Sequence, residues 1–381
     1  MTMDFSSLES LIPGFKMPVQ LSRPPRFDYM REILLLTHVC GRWRLIAHYA
    51  ADLWIDIQYH FHSEDTRLRR LNLVALWMER SSLNSPRGLS FNIHSCYPGA
   101  RNPVIDFILA NAGRIRSLHL KLPEPHFPHL LQTPPGLFTT LESLTLVVIH
   151  KCDTMFKSSS GLSRDLYFLS NRGNGPDTAS ILWPSVNTPF TAFQHAPRLR
   201  DFAFDAWAVF NNQCMFDIVP WSNLTDVDLR FVMLGVHDVS DLLPRLTKAR
   251  KFNVRMDGRQ GMFMPALPRT IRLPLVSLEW DGGNYVEDAS VFAPLVLPYL
   301  KSLDLWYNAG AEGLRALCAR SACKLETLSL RDSHLSYPSF SKFLAEVPTL
   351  TSLTLYHSLP ITDKFLESLV YDSSTGFILP N

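Results

Sequence analysis

A six-residue pattern, Leu-x-x-Leu-x-Leu, returns along this chain at a nearly constant interval. Its clearest copies read LESLTL from Leu141, LKSLDL from Leu300, LETLSL from Leu325 and LTSLTL from Leu350. Allowing other apolar residues at the leucine positions adds IRSLHL at Ile115, LRDFAF at Leu199, LTDVDL at Leu224, ARKFNV at Ala249 and LVSLEW at Leu275. From Leu199 onward the starts are separated by 25, 25, 26, 25, 25 and 25 residues. Six successive intervals within one residue of each other require that every unit fold in the same way and stack on the one before it.

The spacing within the pattern predicts a short strand. Side chains alternate between the two faces of a strand, so the second and third leucines share one face and the residues between them share the other. An interval near 25 residues lies in the range of leucine-rich repeats, where each unit supplies one strand and a helical or irregular return. The expected architecture is therefore an α/β leucine-rich-repeat solenoid, with parallel strands on the concave face and helices on the convex face. Return segments of helical character occupy matching places in their units: VIDFILANAG at 104–113, which ends on a glycine suited to a C-cap, HDVSDLLPRL, AEGLRALCAR, PSFSKFLAEV and TDKFLESLV. Proline often precedes the strand, as in APRL at 196–199, LPYL at 297–300 and VPTL at 347–350, where it stops the helix and presets an extended backbone.

Three regions are expected. Residues 1–30 are proline-rich and irregular. Residues 31–82 read as a small helical module with a linker, containing an amphipathic helix through Leu35, Leu36, Val39, Cys40, Trp43 and Ile46 and a second helix over 67–80. Residues 83–381 read as the repeat array, beginning with a strand at 87–94. The rhythm breaks once, between Leu141 and Leu199, and the Ser/Gly/Asn-rich stretch inside that gap predicts an irregular insertion at about 152–188. A degenerate repeat around Leu166–Leu169 is the alternative. Adding one interval to Leu350 puts a further unit near residue 375, where the chain reads GFILPN. Either TDKFLESLV caps the array or the chain is a truncated product.

Composition excludes several function classes. With 37 basic and 35 acidic residues, the net charge of +2 provides no field for nucleic acid or an anionic membrane. No apolar run is long enough to span a bilayer, and no secretory leader is expected from MTMDFSSLES. Six scattered cysteines predict reduced thiols in the cytoplasm or nucleus. Cys318 and Cys323 are close in sequence but have no second pair to complete a zinc site, and His60, His62, His126 and His129 lack suitably spaced partners. No metal, cofactor or catalytic residue is expected, since Gly-x-Ser-x-Gly, His-Glu-x-x-His, P-loop and Gly-x-Gly-x-x-Gly patterns are all missing from the sequence.

The segment LTHVCGRWRLIAHYAADLWIDI at 36–57 resembles the second half of an F-box. Together with the repeats it is similar to the fungal F-box proteins that carry leucine-rich repeats. The match rests on Leu36, Val39-Cys40, Trp43, Ile46-Ala47 and the Leu53-Trp54-x-x-Ile57 ending. The resemblance implies a substrate receptor of a cullin–RING (SCF-type) ubiquitin ligase: the F-box docks on a Skp-type adaptor, and the repeats hold an unknown protein substrate. It implies Leu36, Val39, Cys40, Trp43, Ile46, Leu53 and Trp54 as adaptor-binding residues, with Trp43 reading equally as an anchor or as core. The family's opening Leu-Pro-x-Glu-Ile/Leu helix has no counterpart in SLESLIPGFKMPVQLSRPPRF, so the match is partial and support for the adaptor is correspondingly weaker. A repeat scaffold that works without an adaptor is the alternative.

Strand alternation assigns the partner-binding concave face independently of that resemblance. It places Ser117, His119 and Lys121 there, then Asp201, Asp205, Asp226, Asp228, Arg230, Lys251, Asn253, Arg255, Glu279, Asp281, Asp304, Trp306, Arg331 and Tyr356. The four aspartates from 201 to 228 would form an acidic patch beside a basic strip of Arg230, Lys251 and Arg255. Trp306 and Tyr356 are the expected hot spots. An ordinary solvated face with cross-strand ion pairs is the competing reading.

Overall fold

A computed structural model of the chain describes residues 27–61, 64–81, 88–95, 103–149, 190–209, 218–256, 270–282, 292–306, 310–331 and 335–356. It is an α/β structure organised on one eleven-stranded parallel sheet. The strands are β1 (Asp56–Phe61), β2 (Leu89–Ser95), β3 (Ile115–Pro123), β4 (Ser143–Ile149), β5 (Asp201–Val209), β6 (Asp226–Leu234), β7 (Lys251–Met256), β9 (Ser277–Asp281), β11 (Ser302–Trp306), β12 (Thr327–Arg331) and β13 (Ser352–Tyr356). Their order in space follows their order in the chain. A separate parallel pair, β8 (Ile271–Arg272) and β10 (Leu295–Val296), lies in the segments leading to β9 and β11.

The sequence interval reappears as the register of the sheet. Ser302 lies opposite Thr327 and Thr327 opposite Ser352, while Asp201 faces Asp226 and Asp226 faces Lys251. Like residues therefore form rows: Leu278, Leu303, Leu328 and Leu353 make one, and Trp280, Leu305, Leu330 and Leu355 the next. Backbone pairing begins one residue ahead of the strands, with Glu326 donating its N–H to Lys301 O at 2.8 Å and Thr351 donating to Glu326 O at 2.9 Å. A parallel ladder of this kind leaves few buried backbone groups unsatisfied.

The leucine rows form one face of the core. Leu118, Leu120, Leu303, Leu305, Leu328 and Leu330 are buried, and the residues between them retain partial exposure. Helices cover this face. In α7 (Ala311–Ser321), Leu314 and Leu317 are buried three residues apart; in α8 (Tyr337–Glu346), Phe340, Phe343 and Leu344 are buried at three- and four-residue steps. These side chains join the strand leucines in one continuous apolar cluster. Earlier returns are α4 (Pro103–Ala110), α5 (Phe127–Leu131) and α6 (Val236–Leu242).

The amino-terminal described region holds α1 (Phe27–Val39), α2 (Gly41–Tyr49), a 3-10 turn at Ala51–Trp54 and α3 (Glu64–Arg80). The single helix expected through Leu35, Leu36, Val39, Cys40, Trp43 and Ile46 is two, α1 and α2, broken at Cys40, and the chain differs from the sequence reading in three further ways. Helix α1 begins at Phe27, inside the stretch expected to be irregular. The sheet begins one strand early, because Asp56–Phe61 is β1 and pairs with β2. Its alternation is clear once seen, with Ile57 and Tyr59 buried, but it lacks the leucine pattern and lies 34 residues from its partner (Asp56 opposite Ser90). Third, Gly113 does not cap α4, which ends at Ala110 and is followed by a 3-10 turn over Ala112–Arg114.

Across the long gap, β4 pairs directly with β5, Leu144 facing Phe202 and Leu146 facing Phe204. The gap thus separates strands that are neighbours in the sheet. The expected insertion at 152–188 and the segment TDKFLESLV lie outside the described residues.

Candidate binding surfaces

Two surfaces stand out. The first is the α1–α2 helical pair. A tight corner at Cys40 joins the helices, held by Arg44 Nε donating to Thr37 O at 2.8 Å and Thr37 Oγ1 donating to Leu34 O at 2.6 Å. Their inner side is narrow: Ile33, Thr37 and Ala47 are buried. The outer side carries Leu35, Val39, Leu45, Ile46 and Tyr49 in solvent, with Val39 at 63% and Tyr49 at 82% exposure. Nine large hydrophobic side chains are exposed among the described residues, and five of them fall in this fifteen-residue stretch. Scattered exposed apolar residues are ordinary, and five on two short helices make this stretch a candidate docking surface.

The residues expected to bind an adaptor divide into two groups here. Val39, Cys40 and Ile46 are exposed, and Leu36, Trp43 and Leu53 are partly exposed. Trp54 is a core residue. It is 0% exposed, donates Nε1–H to Ala47 O at 2.7 Å, meets Trp77 edge-on at 4.6 Å and lies beneath the Arg80 guanidinium. An indole with its one donor satisfied and both faces covered holds the helical pair against α3, so Trp54 leaves the set of surface contacts. Leu35, Leu45 and Tyr49 join that set. The exposure of Leu35 was not legible in the helical period, because apolar residues surround most of α1.

The second surface is the polar face of the sheet, and alternation places the expected residues on it. Asp201, Asp226, Lys251 and Tyr356 are exposed, with Tyr356 at 61%. Asp228, Arg230, Arg255, Glu279, Asp304, Trp306 and Arg331 are partly exposed; Asp205 and Asp281 are buried. Asp205 sits at a register shift between β5 and β6, where the ladder slips and brings it opposite Phe231.

Ion pairs reorganise the expected acidic patch and basic strip. Arg230 grips Asp228 with both Nε and Nη2, the latter at 2.6 Å, and reaches across β7 to Glu279 at 3.3 Å. Arg255 pairs with Asp281 at 3.1 Å, and Arg331 with Asp304 at 3.1 Å. The basic strip is therefore largely spent on neighbouring acids, and the acidic patch shrinks to Asp201 and Asp226. Partial desolvation of the carboxyl between its neighbours, then the like charges of Asp226 and Glu142, raises Asp201 above its usual range although the residue as a whole is exposed. Burial also raises Glu279, with Arg230 opposing that rise.

One part of this face has unused hydrogen-bonding capacity. The Arg331 guanidinium lies 4.4 Å over the Trp306 ring and holds one Asp304 oxygen. Asp304 Oδ1, Ser329 Oγ and Trp306 Nε1 are buried and have no hydrogen-bond partner among the described residues. Buried polar atoms are nearly always paired, and leaving one unpaired costs about 1–3 kcal/mol. Tyr356, opposite Arg331 on the neighbouring strand, extends the patch.

No helix among the described residues is long and apolar enough to cross a membrane. No group of three or more His, Cys, Asp or Glu among the described residues could hold a metal ion. Comparison with protein-family models and with curated proteins found no match.

Proposed function

We propose that this chain is a substrate receptor of a cullin–RING (SCF-type) ubiquitin ligase, built from an F-box-like helical pair and a leucine-rich-repeat solenoid. The observation that carries the reading is the exposed apolar cluster of Leu35, Val39, Leu45, Ile46 and Tyr49 on α1 and α2. It lies within the segment whose sequence resembles an F-box, and an F-box docks on a Skp-type adaptor through an apolar helical surface. Two further features support the solenoid: the Leu-x-x-Leu-x-Leu pattern, and a sheet whose register offset repeats the sequence interval.

In this reading the chain breaks no bonds. The helical pair fixes it to the adaptor, and the polar face around Asp304, Trp306, Ser329, Arg331 and Tyr356 holds the substrate protein. Holding a target lysine near the transferring subunit converts a bimolecular encounter into an almost intramolecular one, which is the receptor's contribution to rate. Localisation in the cytoplasm or nucleus belongs to the same proposal.

The test is a pulldown of the full chain with a recombinant Skp-type adaptor, beside the double variant Val39→Asp and Ile46→Asp. Both side chains are exposed, so the variant should keep its fold by circular dichroism and its unfolding free energy to within about 0.5 kcal/mol, the range of ordinary surface changes. The wild type should capture the adaptor, and the variant should not. A folded wild type that fails to capture it would leave a repeat scaffold that works without an adaptor.

A further inference from the structure

Helix α7 ends in a way that brings two cysteines together. Its last helical residue is Ser321, and Ala322 adopts the left-handed conformation at φ 48°, the one described non-glycine residue with positive φ. Ala322 donates its N–H to Cys318 O at 2.8 Å. This is the αL helix stop, in which the chain reverses and the residue after the left-handed one folds back onto the side chain four to five positions earlier. Here those two positions are Cys323 and Cys318. Both side chains are half-buried and pack against the same apolar cluster, at the two positions that this turn sets side by side, and each thiol shifts the proton affinity of the other.

An apolar contact is the usual content of this motif, and leucine or valine would serve it better than a pair of thiols. We propose that Cys318 and Cys323 form a peroxide-sensitive dithiol, a modification site that closes to an intramolecular disulfide. The thiol contact assigns the roles. Cys318 keeps its proton, with its pKa pushed up by its interaction with the Cys323 thiol and by burial; the same interaction pulls the Cys323 thiol down, so Cys323 ionises first. The Cys323 thiolate attacks one peroxide oxygen, the O–O bond breaks, and the departing hydroxide takes up a proton as water, leaving a sulfenic acid. Cys318 sulfur then attacks Cys323 sulfur, the S–O bond breaks, and the Cys318 proton leaves with the hydroxyl as a second water. Two thiols lose two electrons in total, and one peroxide becomes two waters.

The disulfide would bind the end of α7 to the segment that starts β12. That end is already anchored: Arg320 donates to the carbonyls of Leu295 and Phe292, and Ser321 Oγ accepts from Leu297 N–H at 3.0 Å. Strand β12 carries Ser329 and Arg331, so oxidation acts on the element that presents part of the polar face. The dithiol chemistry itself does not depend on the proposed function.

The sequence permits a direct test. Trypsin cleaves after Arg315, Arg320 and Lys324, so the two cysteines fall on separate peptides, ALCAR and SACK. The reduced full chain is treated with hydrogen peroxide, alkylated and digested without reductant. The expected product is a cross-linked ALCAR–SACK peptide two hydrogens lighter than the sum of its parts, formed before the exposed Cys40 is oxidised. In Cys318→Ser, Cys323 should instead accumulate as a sulfenic acid that dimedone traps. In Cys323→Ser, Cys318 should resist peroxide. Independent oxidation of the two thiols, at or below the rate of Cys40, would overturn the proposal, as would a dimedone adduct confined to Cys318.

Discussion

Replacing Arg230 with methionine isolates what the polar face contributes to stability. Arg230 bonds Asp228 through Nε and Nη2 and reaches Glu279 through Nη1. The side-chain exposures are 41% for Arg230 against 29% for Asp228 and 22% for Glu279. Fully exposed pairs contribute about 0.2–1 kcal/mol, and breaking a fully buried pair costs about 3–5 kcal/mol. A site at intermediate exposure falls between these limits, and solvent screening at the arginine end keeps the expected loss near 1–2 kcal/mol at neutral pH. Methionine retains most of the apolar stem, so the loss is electrostatic.

Its pH dependence follows from Glu279, whose carboxyl is raised by burial while Arg230 opposes that rise. A carboxyl raised in the folded state takes up a proton more readily there than in the unfolded chain. Its contribution is therefore favourable at low pH and is lost as pH rises through the folded pKa. Removing Arg230 raises that pKa further, so the penalty should be largest at neutral pH and shrink as pH falls through the folded Glu279 pKa. Urea unfolding of both proteins across that window measures it. A penalty that does not change with pH would refute the reasoning, because it would show that Arg230 acts by packing alone.

Two other outcomes follow from packing and backbone geometry. Leu303→Ala should cost about 2–5 kcal/mol by urea unfolding, since Leu303 is fully buried in the row between Leu278 and Leu328. Ala322→Gly should raise stability by about 0.4–1 kcal/mol by thermal unfolding, because glycine adopts the left-handed conformation at φ 48° without the penalty of a Cβ.

What the sequence disclosed depended on how local the cause was. The repeat interval is set by one strand and its return, so the strands of the main sheet from β5 to β13 could be placed from the apolar pattern, and their register followed from subtraction except at the shifts among β5, β6 and β7. Strand β1 carries the same alternation through Ile57 and Tyr59 but outside the rhythm, and it went unread. In α1, apolar residues occupy most of the circumference, so periodicity could not tell the side buried at Ile33 and Thr37 from the side exposed at Leu35 and Val39. Trp54 matched the F-box pattern for a packing reason, its contact with Trp77.

The polar face was legible as a face and illegible as a set of pairings. Arg230 finds Glu279 two strands away, and Arg331 covers Trp306 on the neighbouring strand. Such partners are fixed by side-chain reach across the sheet, which no spacing in the chain encodes. The contact between Cys318 and Cys323 likewise depends on Ala322 turning left-handed, a conformation alanine seldom adopts.

Docking of α1 and α2 on a Skp-type adaptor is the step on which the proposed function rests. Hydrogen–deuterium exchange of the full chain, with and without the adaptor, tests it most directly. Exchange should slow at residues 27–49 alone, with β2 to β13 unchanged. Unchanged exchange across 27–49 at saturating adaptor, or protection appearing on the sheet instead, would contradict it.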